Sequence, residues 1–548
     1  VVDNALYYGD NLDILRRYIE DESIDLVYLD PPFNSNRDYN VIFKDESGRK
    51  SDAQLLAFED TWHWGPDAES QYTYLTNTSV NLGRVPEQVA TIVAALHHGI
   101  GANQMMAYLV EMAVRLVELH RVLKQTGSLY LHCDPTASHY LRVILDAIFG
   151  PTCFKNEITW KRANAHNDPK RYGRISDRLL YYTKTASAVW NTQHTPYRED
   201  YYRTHFKKDA AGRWFRTVPL DAPRHGDGSP GLLYDWRGKL PASTRTWAIR
   251  RELMEKYESD GRLAYTRTGT PTLIEYADEM PGVPLQDTWT DIPPVNPQAR
   301  ERLGYPTQKP LALLERIVAS SSNEGDLVLD PFCGCGTALV AAEKLKRRWI
   351  GIDVTYLSIA VMKARLASAH GLTDVEVINQ PTEVAGARAL AQDPRDGRYQ
   401  FQWWALGLVD AQPVGGVKKK GADSGIDGVI GFTDKAGKRE LVIASVKSGH
   451  VNASMIRDLK GTLEREQAAV GLFITLEEPT KPMRDEATTA GVFHSDVWNR
   501  DYARIQLLSI ADLIERHMKP DLPPFVHQPY QAAERIYESA GSQEQLPV

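Results

Sequence analysis

The densest chemistry in the 548-residue chain lies in four adjacent residues, Asp30-Pro31-Pro32-Phe33. They follow an apolar run, Ile24 to Leu29, that reads as a buried parallel strand ending at the acid. Two prolines then stop any ladder, so an acid and a ring are held at the carboxyl end of a strand, where open α/β sheets bind ligands. The chemistry that suits this arrangement is methylation of an exocyclic amino group on a nucleobase. Such an amine is a poor nucleophile because its lone pair is delocalised into the ring. The Asp30 carboxylate and the Pro31 carbonyl, accepting its two hydrogens, would localise that pair and aim it at an electrophile. Pro32 fixes the bend, and Phe33 would stack on the extruded base. A strand-end turn stiffened by two prolines is the alternative reading of the same four letters.

A second cluster follows some three hundred residues later. The strand Leu327-Val328-Leu329 ends in Asp330-Pro331-Phe332-Cys333-Gly334-Cys335-Gly336-Thr337, a helix runs from Ala338 to Lys346, and the strand Trp349-Ile350-Gly351-Ile352 ends in Asp353. Strand, glycine-rich turn, helix and an acid closing the next strand form a nucleoside-cofactor arrangement. Glycines let backbone N–H groups approach the ligand, and Asp353 is positioned for ribose hydroxyls. Neither the dinucleotide fingerprint nor the phosphate-binding loop of nucleotide triphosphatases occurs, which disfavours NAD and ATP.

Other elements must hold these clusters. Leu6-Tyr7-Tyr8-Gly9-Asp10 reads as a strand ending in an acid; with the helix Asn11 to Tyr18 and the strand reaching Asp30 it forms one βαβ unit. Residues 34 to 100, rich in Asn, Gly, Trp and His, read as loops around the site. Met105, Leu109, Met112, Leu116 and Leu119 have helical spacing and lead to a strand at 128–132, a helix at 137–148 and a strand at 157–160. His132 and Asp134 follow a strand and read as structural, with a place in the site as the alternative. Residues 161–251 then hold 19 Lys or Arg against 8 Asp or Glu, interleaved with aromatics such as Tyr172, Trp190, Trp214, Trp236 and Trp247. Basic residues meet phosphates and arginines read guanine edges, so this stretch reads as a DNA-reading insertion, with a solvated basic face over an aromatic core as the alternative.

Together these residues resemble the β-class amino-methyltransferases of bacterial restriction–modification systems. Asp30 to Phe33 matches that family's catalytic motif [D/N/S]-P-P-[Y/F/W], and Asp330 to Thr337 its cofactor motif D-P-F-x-G-x-G-T, in the family's order. The resemblance covers about residues 1 to 370. It implies S-adenosylmethionine (SAM) as donor, with Asp330, Phe332, Gly334, Gly336, Thr337 and Asp353 around it, Asp10 at its adenine end, and Thr307-Gln308-Lys309-Pro310 flanking its methionine moiety. An acid as first letter of the tetrapeptide implies adenine rather than cytosine, methylated after base flipping and without a metal.

The C-terminal third reads as a second compact unit after a polar linker. Asp427 on a loop, a hairpin of Val429–Phe432 and Leu441–Ala444, Lys447, a helix at 453–467 and a strand at 470–475 give an αβββαβ-like order. This resembles the PD-(D/E)XK restriction-nuclease superfamily, which implies Asp427 as a Mg²⁺ ligand and Lys447 as the catalytic lysine. Ser445 stands where an acid or Gln is expected, and a seryl oxygen is a weak Mg²⁺ ligand. Asp423 or Glu464 is the candidate replacement. An active nuclease, a degenerate DNA-binding relative and an unrelated α/β domain are the three readings, in that order.

Composition frames these expectations. Apolar content of 42% and charged content of 25% suit a globular protein, and a net charge of −7 confines nucleic-acid binding to a local basic region. Four cysteines form neither a disulfide framework nor a zinc set. No apolar run reaches membrane-spanning length and no signal-peptide pattern opens the chain, so a cytoplasmic setting is expected. The expected architecture is α/β: a Rossmann-like class I methyltransferase fold with circularly permuted motif order, plus a smaller restriction-endonuclease-like domain. Its parts are a catalytic half at 1–160, a target-recognition insertion at 161–300, a cofactor half at 301–372, a linker at 373–398, a nuclease-like domain at 399–520 and a tail at 521–548. Double-stranded DNA is the expected partner, with a second copy of the chain or a separate restriction subunit left open as protein partner.

Overall fold

A computed structural model describes residues 4–32, 38–44, 50–59, 62–165, 170, 172–197, 199–224, 230–296, 298–299, 301–303, 305, 307–394, 397–414, 425–434, 439–523 and 526–527. Its contacts divide the chain into two units, Thr192–Gln286 and the remainder.

The larger unit is built on a nine-stranded sheet. In chain order its strands are β1 (Ala5–Tyr8), β2 (Ile24–Leu29), β3 (Leu123–Cys133), β4 (Phe154–Lys161), β5 (Ser176–Thr183), β6 (Thr288–Trp289), β7 (Leu327–Asp330), β8 (Arg348–Asp353) and β9 (Val377–Ile378). They lie in the order β6-β4-β5-β3-β2-β7-β8-β1-β9. From β3 to β9 all neighbours are parallel, while β5 runs antiparallel to both β3 and β4. Every residue of β2 is buried, as expected for an inner strand covered on both faces. Its one acid, Asp25, accepts from Lys124 Nζ at 2.8 Å and from the Leu327 amide of β7 at 2.9 Å, which locks the two strands together.

Helices cover both faces. Those bearing on the site are α1 (Asn11–Tyr18), α2 (Pro66–Thr76), α3 (Glu87–Ile100), α4 (Gln104–Val122), α5 (Ser138–Phe149), α6 (Leu311–Ser321), α7 (Thr337–Lys344) and α8 (Tyr356–His370). The expected loops of 34–100 are corrected in part: α2 and α3 occupy much of that stretch and bury Leu75, Val89 and Val93. Packing of a few apolar residues stabilises these helices where composition gave little sign of them.

The second unit, Thr192–Gln286, is shorter than the insertion expected at 161–300, because residues 176–183 and 288–289 are strands of the main sheet. It carries a four-stranded antiparallel sheet in the order 263–265, 271–276, 214–219, 207–208, and a helix at Arg251–Ser259. Trp236, Trp247, Leu220 and Met254 form its core, so two of the interleaved tryptophans are structural. Part of its positive charge is neutralised internally. Arg213 pairs with Asp278 at 2.8 Å and Arg216 with Glu275 at 2.8 Å, whereas Lys207 and Lys208 are exposed.

The linker expected at 373–398 is likewise structured in part. It contributes β9 and the helix α9 (Val384–Gln392), whose Ala387 is fully buried. Helix α10 (Gly397–Gly407) then packs Phe401, Trp403 and Trp404 into one core with Tyr305, Tyr356, Leu357 and Val361. The last domain has a sheet of β10 (Gln412–Pro413), β11 (Gly428–Thr433), β12 (Arg439–Lys447), β13 (Val470–Thr475) and β14 (Ile505–Ser509), in that order. The β11–β12 hairpin is antiparallel and β13 parallel to β12, as expected, with α11 (Ala453–Arg465) between them. No described helix is long and apolar enough to cross a membrane.

A candidate active site at the ends of four parallel strands

Strands β2, β7, β8 and β1 are consecutive neighbours, and each delivers an acid at or just past its carboxyl end: Asp30, Asp330, Asp353 and Asp10. Register makes this convergence tight. Val27 pairs with Leu329, Asp330 with Gly351, and Tyr8 with Asp353. The two motifs, three hundred residues apart in sequence, therefore end adjacent strands.

They open on one cavity of about 250 Å³. It is lined by Asp10, Asp30, Pro32, Thr307, Lys309, Asp330, Phe332, Gly334, Thr337 and Asp353 among the expected residues. Tyr28, Trp62, Arg115 and Tyr305 also line it. Pro31 is buried beside it, Phe33 lies outside the described residues, and Gln308, Pro310 and Gly336 do not face it.

The glycine turn is built as the motif implies. Gly334 and Gly336 have φ of +53° and +74°, a left-handed backbone that side chains resist. A Cβ on Gly336 would also stand 2.9 Å from Met362 Cγ. Gly336 precedes the first turn of α7, and Arg365 braces the turn from behind, donating to the Cys335 carbonyl at 3.0 Å and to Thr337 Oγ1 at 2.8 Å. Asp353 Oδ2 accepts from the Gly334 amide at 2.9 Å, and its Oδ1 accepts from the Thr355 amide at 2.9 Å. One carboxylate thus shapes the turn while facing the cavity.

Asp10 caps α1 through the Leu12 amide at 2.8 Å and takes an ion pair from Arg115 Nη2 at 2.8 Å. Arg115 also holds Asn11 Oδ1 at 2.6 Å, and Asn11 Nδ2 reaches the Pro331 carbonyl at 2.8 Å, tying α1 to the cofactor motif. Sequence spacing assigns no role to Arg115. Its one signal is a cation inside the apolar stripe of α4.

Two members of the 307–310 segment act differently from expectation. Gln308 turns to the preceding loop, where its Oε1 accepts from the Leu303 amide at 2.8 Å. Lys309 Nζ forms an ion pair with Asp30 Oδ2, with only 12% and 15% of the two side chains exposed. A cation thus sits on one oxygen of the acid assigned to the base.

Crowding of carboxylates has a measurable consequence. Burial, above all, pushes the Asp330 carboxyl well above the usual range, and the charges of Asp30 and Asp353 add to it. Burial also raises Asp353, against the hydrogen bonds it accepts. A carboxyl raised in the folded state keeps its proton when the unfolded chain has lost its own, so it destabilises increasingly as pH rises above the ordinary value near 4. Asp330→Asn, which retains an oxygen for the Phe332 amide, is expected to melt several degrees higher than the parent at pH 8. That gap should close as pH falls toward 4, as read by thermal melts across the range.

In the last domain, Asp427 and Lys447 are brought together. Asp427 Oδ2 accepts from the Val446 amide at 2.7 Å, from Ser445 Oγ at 3.3 Å and from Lys447 Nζ at 3.5 Å. Asp423 lies outside the described residues, and Glu464 is exposed on α11. Among the described residues no group of three or more His, Cys, Asp or Glu is placed to hold a metal ion. Among the described residues the donor set, one carboxylate with its Oδ2 hydrogen-bonded to neighbours, does not fit Mg²⁺, which prefers several oxygen ligands.

Comparisons with known proteins agree with this division. A DNA methylase family model of the N6/N4 type matches residues 24–361, and one described as NACHT-associated inactive Restriction Endonuclease 1 matches residues 413–515. The type II methyltransferase M.HpaI of Haemophilus parainfluenzae is 43% identical over 351 residues, which cover 64% of this chain and 70% of its own. M.EcaI of Enterobacter cloacae, also a type II methyltransferase, is 33% identical over 263 residues, 48% of this chain and 58% of its own. The Mod subunit of the type III restriction–modification enzyme StyLTI of Salmonella typhimurium is 26% identical over 360 residues, 62% of this chain and 50% of its own. The chain therefore spans a little over half of M.EcaI and half of the Mod subunit. Among solved structures, a DNA modification methylase of Thermus thermophilus complexed with S-adenosyl-L-methionine aligns over 69% of this chain and 99% of its own, with 16% identity and a TM-score of 0.34.

Proposed function

Because the chain belongs to the N6/N4 DNA methylase family, we propose that it methylates the exocyclic amino nitrogen of adenine in duplex DNA, using S-adenosylmethionine and a flipped base. The observation that carries this reading is the convergence of Asp30 with the Asp330–Thr337 turn on one cavity. SAM supplies a methyl group on a positively charged sulfur, which makes the methyl carbon electrophilic. Asp353, beside the left-handed glycine turn, would hold the ribose hydroxyls. Asp10, held by Arg115, would stand at the adenine end, and Thr307 at the methionine end.

Toward the base, Asp30 and the Pro31 carbonyl accept the two amino hydrogens and localise the nitrogen lone pair. With Oδ2 engaged by Lys309, Asp30 offers Oδ1 to the amine, and Lys309 orients the carboxylate rather than the donor. The motif assigns the stacking role to Phe33, which lies outside the described residues. The acid in the first motif position favours adenine over cytosine, and exposed cations such as Lys207 and Lys208 suit the DNA backbone. Transfer of tritiated methyl groups to unmethylated genomic DNA, followed by separation of the nucleosides, tests this. Label in N6-methyladenine is expected; the absence of label would overturn it.

The last domain is proposed as a non-cleaving DNA- or partner-binding relative of restriction nucleases. Its support is the inactive-endonuclease match together with Ser445 at the second-acid position beside Asp427. With Mg²⁺, supercoiled plasmid is expected to stay intact whether methylated or not, and Lys447→Ala should methylate at the parent's rate. Nicking or linearisation lost in Lys447→Ala would instead restore the nuclease reading.

A further inference from the structure

Methylation of an amine leaves a proton to be disposed of, and Asp30 is an encumbered base because Lys309 occupies one of its oxygens. A second acceptor stands next to it. Tyr28 and Asp30 are two residues apart at the end of β2, hence on one face, and both line the cavity. The Tyr28 hydroxyl lies 3.1 Å from His132 Nδ1, and His132 Nε2 lies 3.2 Å from Asp177 Oδ2. Arg162 holds the other Asp177 oxygen at 2.9 Å. The four residues come from β2, β3, β5 and the loop after β4, so the row crosses the sheet just below the site.

The row has a definite polarity. Burial works against the Asp177 charge, but His132 and Arg162 hold its carboxyl below the usual range, so it is ionised at neutral pH. An ionised Asp177 takes the Nε2 proton of a neutral His132 as a hydrogen bond, leaving Nδ1 as an acceptor. Tyr28 then donates to Nδ1, and its side chain lines the cavity. Tyr28, His132 and Asp177 are each 2% exposed or less. A buried charge is costly unless it is well paired, and an apolar trio would fill this part of the sheet at less cost.

We infer that Tyr28, His132 and Asp177 form a proton relay for the methyltransferase reaction proposed above, with Tyr28 touching the reacting amine and His132 and Asp177 acting through it. As the new C–N bond forms, the leaving sulfur keeps the electron pair of the broken S–C bond and the nitrogen becomes acidic. The Pro31 carbonyl keeps one amine hydrogen; the other, shared between Asp30 Oδ1 and the Tyr28 oxygen, passes to Tyr28 while the hydroxyl's own proton moves to His132 Nδ1. The relay ends as neutral tyrosine and imidazolium, the latter stabilised by Asp177, and the imidazolium discharges to water after product leaves. The charged groups facing this row are Asp177 and Arg162 at the His132 end, and Asp30, Asp330 and Lys309 near Tyr28.

The test is the single-turnover rate of methyl transfer from labelled SAM to unmethylated genomic DNA, measured in H₂O and in D₂O, for the parent, Tyr28→Phe and His132→Gln. A proton that moves along the row with methyl transfer should slow the parent in D₂O. Tyr28→Phe keeps the ring and removes only the hydroxyl. It is expected to lose at least about tenfold in rate and to lose that solvent isotope effect, with SAM affinity by calorimetry unchanged. His132→Gln should likewise be slow and insensitive to D₂O; SAM binding certifies that each variant is folded, and Asp177→Asn replaces any variant that fails this check. An active parent with an equally fast Tyr28→Phe, or with the isotope effect intact in both variants, would overturn the relay alone. A parent inactive in both solvents would overturn the methyltransferase reading and the relay with it.

Discussion

Asp30→Asn is expected to lower methyl transfer about a hundredfold to a thousandfold while leaving SAM affinity within about twofold. The expectation follows from where the charge sits. Asp30 follows β2, lines the cavity, and is paired with Lys309 rather than with the glycine turn. Asparagine keeps the shape and one acceptor but loses the charge that draws the amine's hydrogens and lone pair into line. It also leaves Lys309 with a neutral neighbour in a site where only 12% of its side chain reaches solvent. Calorimetry with SAM and filter-binding of labelled DNA separate the two effects. Loss of SAM binding in Asp30→Asn would mean that the acid serves the donor, and full activity would mean that another group activates the amine.

The mirror experiment is Asp353→Ala, in which SAM binding rather than chemistry should fail. Asp353 accepts from the Gly334 amide, the Thr355 amide and the Thr355 hydroxyl, so its carboxylate fixes the glycine turn as well as facing the donor. Alanine removes all three; counting the Gly334 bond that shapes the turn and two ribose contacts at about 1 kcal/mol each, SAM should weaken by about a hundredfold. At saturating SAM the methylation rate should recover to within a few-fold of the parent. Affinity is read by calorimetry. Unchanged affinity would remove Asp353 from the donor site, and a rate that never recovers would place it in the chemistry.

The contrast between these two acids is legible in the sequence. Strand ends spelled by a run of apolar residues and then an acid can be read directly, and Asp10, Asp30, Asp330 and Asp353 all stand at the ends of neighbouring parallel strands. The glycine turn is equally readable, because glycine adopts a φ of +74° at the start of α7 without cost. What escapes depends on partners remote in sequence. Lys309 takes its expected role from its neighbours in the motif, but its cation meets a carboxylate 279 residues away. Gln308 faces the loop before it for the same reason: a side chain's direction is decided by packing, not by the segment's pattern. His132 reads as structural because a lone histidine after a strand usually is, and only the pairing of β3 with β5 brings Asp177 to it.

The misread stretches share a physical cause. Helix α9 has a single fully buried side chain, Ala387, and gains its stability from the core it joins rather than from any strong periodicity. The expected insertion is too wide because β5, rich in aromatics and flanked by basic residues, shares the composition of the unit it borders, and β6 is only two residues long. In the C-terminal domain the hairpin and its following helix can be foreseen, while the surroundings of Asp427 cannot. Its Oδ2 is taken up by Val446, Ser445 and Lys447, which leaves the domain with a nuclease-like frame and an engaged carboxylate.

DNA amino-methylation by this chain is tested most directly by mapping modified bases in DNA from cells that express it, against cells expressing Asp30→Asn. N6-methyladenine at one defined sequence, present with the parent and absent with the variant, is the expected result. DNA indistinguishable between the two, with no modified base above the background of cells lacking the chain, would contradict it.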